Sequence, residues 1–309
     1  MPGVELHATR CPICGTAGNA SELYPANFDA GAFSPAVFSA RRLPDRLRYR
    51  MVKCDSCGLV RSDPVADADT LSGLYAAAAL DYTDEIPCLR RTYGRYLERA
   101  GKYSAAKSSL LEIGCGSGFF LEEALARGYA QVRGVEPGAA AVRQASPAVR
   151  DSIHEGIMRP GLFPDNSFDV VCLFQVLDHI PGPGQLLDCC LRALKPGGAL
   201  LLLNHNADAV SARLLGARSP IVDIEHTFLY GDTTLKRLVQ SRGFRTAEAG
   251  AAFNTYSLNY LGRLLPLPAA LKRALLGFLA NSGLGKFRLT MPLGNIYLIA
   301  VKPAEGTAP

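Results

Sequence analysis

No leader is expected at the start of this sequence. Its N-terminus, "MPGVELHATRC", has no basic region followed by an apolar run, so no secretory signal peptide is expected. It also lacks any apolar run long enough to span a bilayer; "ALLLLN" is typical of its longest aliphatic stretches. Charge of one sign is scarce: 33 basic against 28 acidic residues give a formal net charge of +5, too little by itself to imply a nucleic-acid or membrane partner. There is no internal repeat and no low-complexity tract, which argues against a repetitive or disordered organisation. A cytoplasmic location is the expectation. In that setting nine cysteines, an odd number, do not suggest a disulfide framework and point to metal binding or ordinary burial.

What is present is the material of a globular protein: 309 residues, 48% hydrophobic and 20% charged. The texture changes along the chain. Residues 1–64 are rich in Cys, Pro and Arg and show little periodicity. Residues 65–107 read as helix, with Asp67 or Asp69 as N-cap candidates, forming a linker or cap over the active site. From 108 to 252 short apolar strands ("SLLEI", "QVRGVE", "FDVVCLF", "GGALLLLN") alternate with helices, the last one capped by Asp232 and stopped by Gly243. That alternation predicts an α/β fold, a doubly wound, seven-stranded, mostly parallel sheet. Residues 253–290 are apolar with scattered Arg and Lys and read as an insertion with at least one amphipathic helix. A final strand covers 291–303, and 304–309 is a tail.

The most informative stretch is "LLEIGCGSGFF". A strand ends at Ile113, glycines follow at 114, 116 and 118, and a helix begins. Glycine permits positive φ and close backbone approach to a ligand, and the helix N-terminus offers free N–H groups. The spacing is G-x-G-x-G after Glu112, not the G-x-G-x-x-G of dinucleotide binding. Glu136, at the end of the next strand, can accept both hydroxyls of a ribose.

These residues, together with "FPDNSFDVVCLFQVLDHI" and "LRALKPGGALLLLN", resemble the class I S-adenosylmethionine (SAM)-dependent methyltransferases over roughly residues 108–250. The resemblance implies a cofactor floor of Gly114, Cys115, Gly116 and Gly118, supported by Glu112. It places Glu136 on the ribose, Glu155-Gly156-Ile157 beside the adenine and Gln175 against the methionyl part. Cys115 is a small buried filler in this reading, since methyl transfer from a sulfonium needs no covalent intermediate.

"CPICG" (Cys11, Cys14) and "CDSCG" (Cys54, Cys57) are two knuckles that can point four thiolates at one ion. Four sulfurs suit structural zinc and leave no open position for catalysis. Cys88, Cys172, Cys189 and Cys190 have no ligand spacing and read as core residues. Between the knuckles, "ARRLPDRLRYR" carries five arginines, open to reading as a phosphate-tracking run or as a solvated basic face.

A zinc module ahead of such a domain resembles the sugar C-methyltransferases more than the ribosomal RNA guanine methyltransferases that also carry one. The phrases "LYAAAALDYTDE" and "EHTFLYGDTTLKRLVQSRGF" fit that group. No counterpart of the sugar enzymes' C-terminal domain is expected after the seventh strand, which keeps O-methylation of a sugar, glycan precursor or other small molecule open beside C-methylation. The resemblance implies that Tyr75 or Tyr82 covers the substrate and that Glu225-His226 sits at the pocket mouth. A hydroxyl or acidic C–H acceptor needs a general base, and neutral imidazole suits it. Of five histidines, His179, His205 and His226 fall at or after strand C-terminal ends. His226 leads, with Glu225 to orient or charge-stabilise it and His179 as a further candidate; a loop-anchoring pair is the competing role. The 253–290 insertion is open to packing on the sheet, to a second subunit (a homodimer), or to an anionic membrane surface. Two other functions stay in view: an RNA methyltransferase docking through the zinc module and Arg run, and a non-catalytic SAM-binding protein.

Overall fold

The computed structural model describes residues 4–28, 34, 37–38, 47–77, 83–104, 106–265 and 267–304. Tyr82, Arg41, Arg42 and Arg46 lie outside these described residues.

The chain opens with short strands: β1 (Leu6–His7), β2 (Ala20–Tyr24), β3 (Met51–Cys54), β4 (Val60–Ser62) and β5 (Val65–Ala66). β2, β3 and β4 pair antiparallel, and β1 pairs with β5. Helix α1 (Ala68–Ala76) then starts at Asp67, which accepts a hydrogen bond from Thr70 N at 2.7 Å; of the two cap candidates, Asp67 is the one used. Helix α2 (Ile86–Ala100) is amphipathic and buries Tyr93, Tyr96 and Leu97.

Alternation follows as the sequence predicts: β6 (Ser109–Ile113), α3 (Phe119–Ala126), β7 (Gln131–Glu136), α4 (Ala139–Gln144), β8 (Ile153–Glu155), β9 (Phe168–Phe174), α5 (Pro183–Ala193) and β10 (Leu194–His205). Next come α6 (Val210–Leu215), β11 (Phe228–Leu229), α7 (Asp232–Gln240) and β12 (Arg245–Ala251). The insertion holds β13 (Asn254–Ser257), α8 (Leu258–Leu264), α9 (Ala269–Asn281) and β14 (Arg288–Met291), and β15 (Asn295–Val301) closes the order. It thus contains two helices, bracketed by an antiparallel β13–β14 pair.

The main sheet has seven strands in the order β12-β15-β10-β9-β6-β7-β8. β8, β7, β6, β9 and β10 are parallel, and β15 runs antiparallel to both neighbours. The order reverses between β6 and β9, so the carboxyl ends of these strands diverge there and leave a crevice. Every residue of β6 and β9 is buried, as are Leu200 to Leu203 of β10. Full burial of each leucine contributes about 1.5–3 kcal/mol, which fixes the strand ends that carry the site.

Two details depart from the sequence reading. Helix α7 is not capped by Asp232, which is its first residue; Gly231 holds the cap position, and Asp208 accepts from Asp232 N at 3.1 Å. A side chain at 231 would have to displace the Asp208 carboxylate, since a Cβ there would lie 1.9 Å from Asp208 Oδ2. The larger departure is β11, which pairs with β4 (Phe228 opposite Arg61, Leu229 opposite Val60) and makes the N-terminal sheet four-stranded. Ser62 reinforces this seam: its N donates to Thr227 O at 2.8 Å and its Oγ to His226 O at 3.0 Å. Among the described residues no helix is long and apolar enough to cross a membrane.

Candidate functional site

A cavity of about 1010 Å³ opens at the carboxyl ends of β6, β7, β9 and β10. That is at the upper end for a single small-molecule pocket, so it has room for a cofactor and an acceptor together. Gly114 (φ +74°) and Gly116 (φ +54°) form part of its floor. A Cβ on Gly114 would come within 2.4 Å of Val176 Cγ2, so the loop can pass there only as glycine. Glu136 is held by two backbone amides: Gly116 N donates to Oε2 and Gly138 N to Oε1, each at 2.8 Å. Each carboxylate oxygen keeps a further lone pair for a ligand hydroxyl. Burial raises the Glu136 carboxyl, and the same two amides oppose the rise.

Two buried acceptor atoms on this wall have no hydrogen-bond partner among the described residues, Glu112 Oε2 and Gln175 Oε1. Burial, and then the neighbouring Glu136, push the Glu112 carboxyl well up. Gln175 sits in the left-handed region at φ +56°, a strained position for a residue with a side chain. A ligand ammonium would satisfy both acceptors, and ribose hydroxyls would satisfy Glu136. The donor set fits SAM.

The remaining expected cofactor residues divide. Cys115 is buried in the loop, and burial raises its thiol, as befits a filler. Its Sγ occupies the space a Cβ on Gly134 would need, 2.5 Å away. Gly156 and Ile157 line the cavity, but Glu155 at the end of β8 is exposed and does not. Gly118 does not line it either. It is the N-cap of α3 (φ +71°), and a Cβ there would press on Val149 Cγ2 and Ile153 Cδ1 at 3.0 and 3.1 Å, so its part is to let helix and strand pack.

The opposite wall carries His179, His205 and His226. The His226 ring lies 4.7 Å from that of His179 and 4.6 Å from that of His205, between centroids. Asp178 ties the group together. Its Oδ2 lies 2.7 Å from His205 Nδ1, its Oδ1 accepts from Asn204 Nδ2 at 3.1 Å and stands 3.8 Å from His179 Nε2. Burial alone would raise this carboxyl, but electrostatic interaction with the His179 and His205 rings and the His205 hydrogen bond hold it well below the usual range. His226 Nδ1 lies 3.0 Å from Ile221 O. A carbonyl only accepts, so Nδ1 carries the proton and Nε2 keeps the lone pair. Burial, and then His205 and His179, push His226 well below the ordinary histidine value; burial lowers His179 too, with Asp178 opposing. Both are neutral at pH 7.

Glu225 enters differently from expectation. Its carbonyl is an anchor here, 3.0 Å from His179 Nδ1, while His226 Nδ1 is held by Ile221 O. Tyr75, on α1, lines the cavity with its hydroxyl 3.1 Å from His179 Nδ1. Sequence reasoning missed Asp178, though its signal was present: an acid directly before His179 at the end of a buried strand.

The four knuckle cysteines converge. Cys11 Sγ lies 3.5 Å from Cys57 Sγ and Cys14 Sγ 4.0 Å from Cys54 Sγ, with all four sulfurs within 4.8 Å of one another. Zinc–sulfur bonds of 2.3 Å imply tetrahedral edges of about 3.8 Å, which these distances bracket. Each knuckle closes through its glycine, Gly15 N donating to Cys11 O and Gly58 N to Cys54 O. The donor set fits one zinc ion. The described arginines of the intervening run are engaged locally: Arg48 donates to Pro25 O, and Arg50 pairs with Asp63 at 3.2 Å. Cys88, Cys172, Cys189 and Cys190 are buried.

A family described as a methyltransferase domain matches residues 88–249, just over half of the chain. The ubiquinone biosynthesis O-methyltransferase of Psychrobacter arcticus is 30% identical over 130 residues, covering 39% of this chain and 50% of that protein. The protein of the same name from Klebsiella pneumoniae is 31% identical over 132 residues, covering 40% and 53%. The chain thus spans about half the length of the curated relatives it matches. Among solved structures, a SAM-dependent methyltransferase from Archaeoglobus fulgidus is similar over 72% of this chain and 100% of that one, at 19% identity and a TM-score of 0.48.

Proposed function

The chain belongs to the methyltransferase-domain family, and from that membership we propose that it methylates a hydroxyl of a small-molecule acceptor, with His226 as general base. The observation that carries this reading is a single cavity lined on one side by Gly114, Gly116 and Glu136 and on the other by His179, His205 and His226. The O-methyltransferase names of the matched relatives favour oxygen over carbon as the target. Sugars and glycan precursors stay within the acceptor class.

SAM, when bound, supplies an electrophilic methyl group that needs no further activation. The protein's residues have three tasks. Glu136 and the glycine loop would hold the cofactor's ribose side, while Glu112 and Gln175 would receive its ammonium. The apolar remainder of the cavity excludes water, so the acceptor meets the methyl group without competition. Nε2 of His226 would take the proton of the acceptor hydroxyl, and Asp178 with His205 would balance the resulting charge.

The test is transfer of labelled methyl from SAM to a panel of hydroxylated aromatics and sugars. SAM binding without turnover of any acceptor would count for the non-catalytic reading. Glu136→Ala should weaken SAM binding about ten- to a hundredfold by calorimetry, the effect of losing hydrogen bonds to a charged acceptor. An unchanged affinity would remove Glu136 from the cofactor site.

The pH profile follows from the same geometry. Neutral His226 is the active form, and its protonation is displaced below the ordinary value of 6.5. Turnover is therefore retained as pH falls through 6.5, and the acid limb of kcat/KM lies lower. A limb at or above 6.5 would assign the base to another group.

We also propose that the four cysteines hold one structural zinc ion, which takes no part in the methyl transfer. The support is the convergence of four sulfurs within 4.8 Å of one another, a donor set that leaves no position for a water on a four-coordinate ion.

A further inference from the structure

Residues 253–290 contain five Lys and Arg and no acid. In the fold they form an unusually apolar surface. Leu271 and Phe278, seven positions apart and so on one face of α9, are 55% and 60% exposed, and Phe287 is 60% exposed. On α6, Val210 and Leu214 are exposed by 74% and 82%. The turn that follows β14 reaches α6: a Cβ on Gly294 would lie 3.4 Å from Ser211 Oγ. Leu215, Leu264 and Leu293 join them to the site, because each lines the cavity and yet stays 38–47% exposed. The cavity mouth is therefore rimmed by leucines that continue outward onto an apolar, basic face.

Scattered exposed leucines need no explanation, but a connected set around a cavity mouth marks an interaction surface. The charge selects the partner. A second copy of the chain would set basic residues against basic residues. A nucleic acid would answer the charge but leave Leu271, Phe278 and Leu214 in water. An anionic bilayer answers both, its headgroups meeting Arg273 and Arg288 while the apolar side chains enter the headgroup–acyl boundary.

We infer that the α6–α9 face docks this protein on an anionic lipid surface, with the cavity mouth opening onto it. This inference deepens the functional reading above and rests on it only for the meaning of the cavity; docking itself is measured without turnover. The acceptor class that fits is an amphiphile whose polar head reaches the histidines and whose apolar part leaves between Leu215, Leu264 and Leu293.

The test uses the full chain in flotation with vesicles of phosphatidylcholine alone and of phosphatidylcholine with phosphatidylglycerol. The protein should float with the anionic vesicles only, and less as salt rises. Leu271→Glu with Phe278→Glu should abolish flotation, and Arg273→Gln with Arg288→Gln should weaken it at least about tenfold at low salt. None of these four residues lines the cavity, so SAM affinity and thermal unfolding should match the parent. Loss of SAM binding by the parent itself would instead strike the methyltransferase reading. On vesicles, hydrogen exchange should slow in α6, α9 and the β14–β15 turn. No flotation, equal flotation on both vesicle types, or protection elsewhere overturns the inference. A dimer dissolved by the Glu substitutions, without lipid binding, would assign the face to a second copy; salt-sensitive RNA retention without lipid binding would assign it to nucleic acid.

Discussion

His226→Ala lowers kcat by about 10²- to 10⁴-fold and leaves the SAM dissociation constant unchanged, the loss expected when a positioned general base is removed. The split follows from where the two functions sit. Cofactor contacts come from the β6 and β7 ends, whereas His226 stands on the loop before β11. The substitution removes one hydrogen bond, to Ile221 O, at a cost of about 1 kcal/mol in stability. It keeps the loop in place, because Ser62 Oγ donates to the backbone carbonyl of residue 226, which alanine retains. A matched melting curve would show the fold intact. Added imidazole should restore part of the rate, which a merely structural histidine would not allow. Unchanged turnover would leave His226 as a loop anchor and move the base to His205, whose pairing with Asp178 gives it the same lone-pair Nε2.

The parts legible in the sequence are those whose cause is local. β6 and β9 were readable to the residue because a short apolar run bounded by turn signals favours a strand. Gly114 and Gly116 declared themselves through a spacing that only a tight ligand loop needs, and the C-x-x-C-G knuckles through their repetition. What stayed hidden depends on distant partners. Gly118 looks like its two neighbours in sequence, yet its constraint comes from Val149 and Ile153. Glu155 stands one residue before the cavity wall, and only the strand pleat turns it outward. The cap of α7 comes from Asp208, more than twenty residues upstream. A two-residue strand such as β11 has no periodicity to find, and its partner β4 lies more than 160 residues away. The consequence for "IVDIEHTFLYG" is large: the segment carrying the candidate base belongs to the N-terminal sheet as much as to the core.

That seam yields the second large effect. Cys54→Ser, or removal of zinc by a strong chelator, should cut kcat by about tenfold or more while SAM affinity changes little. Structural zinc contributes about 10–16 kcal/mol to folding, comparable with the whole stability of a domain. On the zinc proposed above, a module of a few short strands would draw much of its stability from the metal. Cys54 ends β3, β3 pairs with β4, and β4 pairs with β11 and holds His226 through Ser62. Loosening the knuckles therefore frees the loop that positions the base. The glycine loop and Glu136 sit on β6 and β7, which are hydrogen-bonded to strands of the main sheet rather than to the knuckle strands. Metal analysis of the parent should find one zinc per chain, falling toward zero in Cys54→Ser. If turnover and SAM affinity fall together, the metal supports the whole fold; if neither falls, the seam between β4 and β11 is sustained by hydrogen bonds and packing alone. A loss confined to kcat means that a metal with no open coordination position sets the rate by holding a histidine in place.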